Sequence, residues 1–264
     1  MKENALLAGP FIGSLDWELY RFAPYINFLK KRKPSLKIIV LTFPERFDLY
    51  GQYANIFVPL KLEVDNISSV QNCLGIDNFD ISIYRAITSF FFSKYSSRFK
   101  ISSHLYPDIK GYRSKMKWQF PRQKMDYDFK PNKCNDKSTS NIKLDAFVDL
   151  SWLNSKSIRI SVLEDIFKFI PNFIDYNSLD KKIKMEVGST KLGCVISLIK
   201  KSNFVIGNLE SPISHLAILL KKPLLSIGKI MTEDQIHLLN PLKTLVIQSN
   251  SIEEGIKKID ENFI

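Results

Sequence analysis

The sequence predicts an α/β protein of two halves, each a parallel sheet covered by helices on both faces. Two observations predict this. In the C-terminal part, short apolar runs alternate with helical stretches of about 10–13 residues. The N-terminus opens with the same order of strand, glycine-containing loop, helix and strand. A polar, proline-containing stretch between these regions places the division, with domains at 1–135 and 136–264 and a cleft expected between them.

At the N-terminus, "NALLAGPFIG" (4–13) reads as a strand entering a loop. In 15–33, Leu15, Leu19, Phe22, Ile26 and Leu29 recur at helical spacing, and Pro34 ends the helix. "LKIIVLTF" (36–43) is a buried strand, "NIFVPL" (55–60) a second, and "DISIYRAITSFFF" (80–92) a helix. Residues 106–141 read as an extended segment with a hinge near 130–141.

The C-terminal elements follow at short intervals. An apolar run at 183–189 precedes a helix at 191–202, a strand at 204–208 and a helix at 212–222. A strand at 223–228, a helix at 232–240, a strand at 243–249 and a helix at 251–263 complete the chain. In the last helix Ile252, Ile256, Ile259 and Phe263 share one stripe.

No run approaches the length of a membrane span, and the first 20 residues lack a basic region followed by an apolar core. A soluble, cytoplasmic protein is expected, without integral membrane association. The three cysteines, Cys73, Cys134 and Cys194, are far apart and suit a reducing compartment better than disulfides or a zinc site. The formal charge of +11 admits two readings: a polyanionic partner, either nucleic acid or an anionic membrane surface, or a coding bias that also enriches Ile, Asn, Phe and Ser.

The polar island "GNLESPISHLA" (207–217) interrupts buried chain between a strand and a helix. Ligands of open α/β sheets bind outside the carboxyl ends of strands, at such places. Ser211 is a candidate N-cap and Pro212 a candidate first helical residue. The helix start suits an anion, Glu210 suits a hydroxyl, and His215, one turn in, is placed to donate to a phosphate. The alternative is a plain cap, a solvated carboxylate and a buried, satisfied histidine. Gly188, Ser189 and Thr190 form a second loop able to approach a phosphate, and His237 and Asn240 lie in a third loop or an ordinary turn. Asp16 and Glu18 either complement the start of the helix at 15–33 or act as a base. In 110–124, Arg113, Lys115, Lys117, Trp118 and Arg122 belong to a stretch mixing cations with Tyr112, Trp118 and Phe120. It suits phosphates and unstacked bases, or is a solvated loop anchored by its aromatics.

"VIGNLESPISHLAILLKKPLLSIG" (205–228) resembles the donor-binding motif of GT-B glycosyltransferases of the heptosyltransferase-like group. Ser211, His215, Leu216, Ala217, Pro223 and Gly228 match, while Glu210 stands in place of Asp and Pro212 in place of Gly. "GPFIGSLDWELYRFAPYI" (9–26) is similar to the opening of that group and of phage-encoded, DNA-modifying glycosyltransferases, with Trp17 where Gly is usual.

The resemblance implies two Rossmann-like halves in a compact GT-B-like arrangement and a metal-independent, inverting transfer from a UDP- or ADP-type nucleotide sugar. It implies no cofactor besides that donor. Asp16 or Glu18 is the implied base, and Gly188, Ser189, Glu210, Ser211, His215 and Asn240 the implied donor contacts. The acceptor expected first is a hydroxymethylated pyrimidine in phage duplex DNA, met in the host cytoplasm. A surface glycan or lipopolysaccharide is the second, and a non-catalytic nucleotide- or DNA-binding module the third.

Overall fold

A computed structural model describes residues 2–12, 15–60, 81–106, 125–131, 143–153, 156–179, 190–228 and 230–263. The chain forms two compact units, Met1–Asn132 and Lys133–Ile264. The strands pair in two parallel sheets, as the alternation of apolar runs and helices predicts.

In the first unit β1 (Asn4–Ala8) leads to α1 (Leu15–Trp17), a π-helical turn (Glu18–Phe22) and α2 (Ala23–Arg32). β2 (Lys37–Thr42) follows, then two 3₁₀ turns (Pro44–Leu49 and Gly51–Tyr53), β3 (Ile56–Pro59), α3 (Ile81–Ser96) and β4 (Lys100–Leu105). The strand order is β3-β2-β1-β4, all parallel. β1 and β2 are buried on both faces, which accounts for their continuous apolar runs. Ala5, Leu7, Ile39 and Leu41 face α3 through Tyr84, Phe91 and Tyr95.

The helix expected at 15–33 is not continuous, and proline chemistry explains the interruption. Pro24 has no N–H to give the carbonyl of Tyr20, four residues earlier. The backbone widens to a π turn just before it. The Tyr127 hydroxyl donates to the Tyr20 carbonyl at 3.2 Å, and the Asp126 amide donates to the Pro24 carbonyl at 3.0 Å. A distant segment therefore supplies the donor that the helix lost. In the loop after β1, Gly9 has φ +112°, and a Cβ there would stand 2.2 Å from the Leu41 carbonyl oxygen.

In the second unit β5 (Leu144–Val148) is followed by α4 (Lys156–Phe169), β6 (Phe173–Asp175) and a 3₁₀ turn (Tyr176–Ser178). Next come α5 (Lys191–Lys201), β7 (Ser202–Gly207), α6 (Pro212–Leu219) and β8 (Leu224–Ile227). α7 (Glu233–Leu239), β9 (Val246–Ser249) and α8 (Ile252–Phe263) end the chain. The order is β6-β5-β7-β8-β9, again all parallel. Ile256 and Ile259 of the predicted stripe in α8 are buried in the core with Leu225 and Ile166. The apolar run expected at 183–189 lies outside the described residues.

Each sheet has one switch point, where successive strands leave in opposite directions. It lies between β1 and β4 in the first unit and between β5 and β7 in the second. The loops at the carboxyl ends of these pairs are where a ligand crevice forms in this architecture.

Candidate functional site

The polar island follows β7 directly and lies at the second switch point. Ser211 caps α6: its Oγ accepts from the Ile213 amide at 3.2 Å, with Pro212 in the first turn. The same hydroxyl donates to Asp149 Oδ2 at the end of β5. Asp149 is fully buried and also accepts from the Ser151 amide at 3.1 Å and from the Ser151 hydroxyl. One carboxylate thus joins the two strand ends that define the switch point. Asn208, also buried, accepts from the Glu210 amide at 2.7 Å and donates to the Ile227 carbonyl at 3.3 Å. Ser226 Oγ takes the Leu209 amide at 3.2 Å, so β8 holds the loop from its other side.

The expectations for this loop divide. Glu210 is exposed at its tip. His215 is buried, and its Nε2 donates to the Leu209 carbonyl at 2.7 Å. That proton fixes the loop. The helix start also has fewer amides to offer an anion than its position suggests. Pro212 has none, and that of Ile213 is occupied by Ser211. Asn240 is buried and spends both ends of its amide on Thr244, donating to its carbonyl at 2.6 Å and accepting from its N–H at 2.7 Å. It closes an ordinary turn. His237 is exposed on α7. Thr190 caps α5 by accepting from the Gly193 amide at 3.0 Å, whereas Gly188 and Ser189 lie outside the described residues.

In the first unit the two candidate bases are placed differently. Glu18 is fully buried in the π turn. It accepts from Thr42 Oγ1 at 3.0 Å, from Arg46 Nη1 at 2.9 Å and from the Tyr50 hydroxyl. The Arg46 guanidinium lies 4.9 Å from the Phe43 ring centroid. Burial raises the Glu18 carboxyl above its ordinary range, opposed first by Arg46 and then by the hydrogen bonds from Tyr50, Arg46 and Thr42. A base must reach the hydroxyl that it deprotonates, and Glu18 has no exposed surface for that. The cluster makes Glu18 the anchor of the π turn. Asp16 is half-buried two residues earlier. Burial, followed by the charge of Asp16, pushes the Tyr20 hydroxyl well above its ordinary range.

Asp149 carries the geometry of the second switch point and was not among the sequence candidates. Its signal in the sequence was slight, an aspartate following the apolar run "AFV". Arg113, Lys115, Lys117, Trp118 and Arg122, with Tyr112 and Phe120, lie outside the described residues. Among the described residues no group of three or more His, Cys, Asp or Glu is placed to hold a metal ion, and Cys194 is buried. No helix among them is long and apolar enough to cross a membrane.

No protein-family model matches the sequence, and no curated protein is similar enough to be matched. Among solved structures the chain is similar to the Escherichia coli heptosyltransferase WaaC with ADP. Identity is 10%, 99% of this chain and 100% of that chain are covered, and the TM-score is 0.49. It is similar to the E. coli ADP-heptose lipopolysaccharide heptosyltransferase II at 10% identity, with 95% and 91% covered and a TM-score of 0.46. It is also similar to Staphylococcus aureus MnaA with UDP at 11% identity, with 100% and 88% covered and a TM-score of 0.42.

Proposed function

We propose that the protein is a glycosyltransferase that moves a sugar from a nucleotide sugar to an acceptor hydroxyl. The observation that carries this reading is the Asp149–Ser211–Asn208 constellation at the switch point of the second sheet. It builds the strand–turn–helix of the motif "GNLESPISHLA" in the position where α/β sheets bind ligands. In this reading the second unit holds the donor. Glu210, exposed at the loop tip, accepts from a donor hydroxyl, and the dipole of α6 offsets negative charge on the leaving diphosphate.

The first unit supplies the base. With Glu18 buried, that role falls to Asp16, and the transfer is inverting and independent of metal. Gly188 and Ser189 remain proposed donor contacts. The acceptor has two readings. Hydroxymethylated pyrimidine in duplex DNA rests on the cation and aromatic stretch at 110–124, and a membrane-borne surface glycan is supported by the exposed face of α3 described below.

The test is binding of UDP- and ADP-sugars, followed by transfer of a labelled sugar to hydroxymethylcytosine DNA or to a lipid-linked oligosaccharide. Asp16→Asn is expected to slow transfer by about 10²–10⁴-fold while donor binding persists. Binding of no nucleotide sugar would remove the reading, and unchanged transfer by Asp16→Asn would remove Asp16 as the base.

A further inference from the structure

We infer that the outer face of α3 is a docking surface for an anionic phospholipid bilayer. α3 turns Tyr84, Phe91 and Tyr95 into the core and leaves large apolar groups in water on both flanks. Ile83 is 48% exposed, Phe90 69% and Phe92 44%. Between these flanks the outermost positions are Ser82, Ala86, Ser89 and Ser93. A surface helix ordinarily carries charges of both signs on that face. From Ile81 to Tyr106 the chain contains no Asp or Glu, and its charged residues are Arg85, Lys94, Arg98 and Lys100, all exposed.

Apolar side chains whose charged neighbours within residues 81–106 are all cations suit a surface with hydrocarbon beneath a layer of phosphates. The helix is about 24 Å long, enough to lie in an interface but not to cross one. An apolar cavity of about 300 Å³ opens beside the same side chains, lined by Leu41, Val58, Ile87 and Phe90, with Lys94 on its wall. The Lys94 ammonium lies 6.0 Å from the Phe90 ring centroid, so cation and apolar group are presented together. Tyr106, 41% exposed at the end of β4, adds an amphipathic ring beside His104. Nucleic acid matches the cations but leaves the aliphatic Ile83 without a partner, so the bilayer is the better fit.

The inference depends on the glycosyl-transfer reading only in that it places the acceptor at a membrane surface. Docking is measured without donor or acceptor, so either can fail alone. The experiment is co-sedimentation of the full chain with phosphatidylcholine vesicles, with and without phosphatidylglycerol. Binding is expected only to the mixed vesicles. Ile83→Ser/Phe90→Ser leaves the net charge unchanged and should weaken binding about tenfold or more. Lys94→Gln/Arg98→Gln should weaken binding to the mixed vesicles as well. Far-UV circular dichroism and the urea midpoint check that each variant remains folded. Wild-type binding by the Ile83→Ser/Phe90→Ser chain would overturn the proposal, since net charge alone would then explain retention. So would self-association or binding to duplex DNA that this double variant abolishes, in a chain that vesicles do not retain.

Discussion

Glu18 combines full burial with an ion pair and two hydroxyl donors, and this combination makes its behaviour testable. Its folded value lies above the ordinary 4.5 because burial outweighs Arg46 and the hydrogen bonds. A raised folded value means that the contribution of this group to stability is full below the ordinary value and is lost as pH rises through the folded one. Tyr50→Phe removes a donor to the ionised carboxylate and so raises the value further. Its cost should reach about 1–3 kcal/mol at neutral pH and shrink in acid, as read from urea unfolding across that window. A cost independent of pH would mean that Glu18 does not ionise in the fold. Tyr50 remains the donor throughout, because burial and then Glu18 hold its hydroxyl far above the ordinary range.

At the scale of elements, the contact between β7 and α6 is close enough to require glycine. A Cβ on Gly207 would stand 2.6 Å from Ser214 Oγ. That hydroxyl is itself buried and has no hydrogen-bond partner among the described residues. Gly207→Ala should cost about 1–3 kcal/mol by overpacking. Ser214→Ala should be close to neutral, since it removes an unsatisfied oxygen and little volume. The double variant should recover most of the loss, giving a coupling that a double-mutant cycle in urea reads directly. Additive costs would show that the strain lies elsewhere. The packing that makes Gly207 obligatory also brings the start of α6 against the end of β5, where Ser211 meets Asp149.

Over the whole molecule, two sheets with separate cores imply two protected regions. Backbone exchange should be slowest in the central strands, β1 and β2 of one sheet and β5, β7 and β8 of the other. The edge strands β3, β4, β6 and β9 should exchange sooner. Hydrogen exchange followed by mass spectrometry resolves these segments, and protection confined to one sheet would contradict the two-core description. The apolar surface left on α3 belongs to this scale too, because it comes from the way the helix packs on its sheet.

Most strands and helices near the two termini were legible in the sequence, because a strand buried on both faces or an amphipathic helix writes its period into the chain. The pairing of Ser211 with Pro212 was legible for the same reason: capping is local and spans two residues. β4 was not, since "KISSHL" is a half-exposed edge strand with little apolar signal. Nor were β5, α4 and β6, whose short or mixed runs blur into their surroundings. The sequence by itself determined the α/β class and the polar turn after β7. Tertiary structure alone decided what the carboxylates do, because their partners are remote in the chain. Ser211 lies 62 residues from Asp149, and Thr42, Arg46 and Tyr50 lie 24, 28 and 32 residues from Glu18. No local pattern encodes contacts at that range. They form when β1 and β2, or β5 and β7, pair side by side and bring their loops to a common edge.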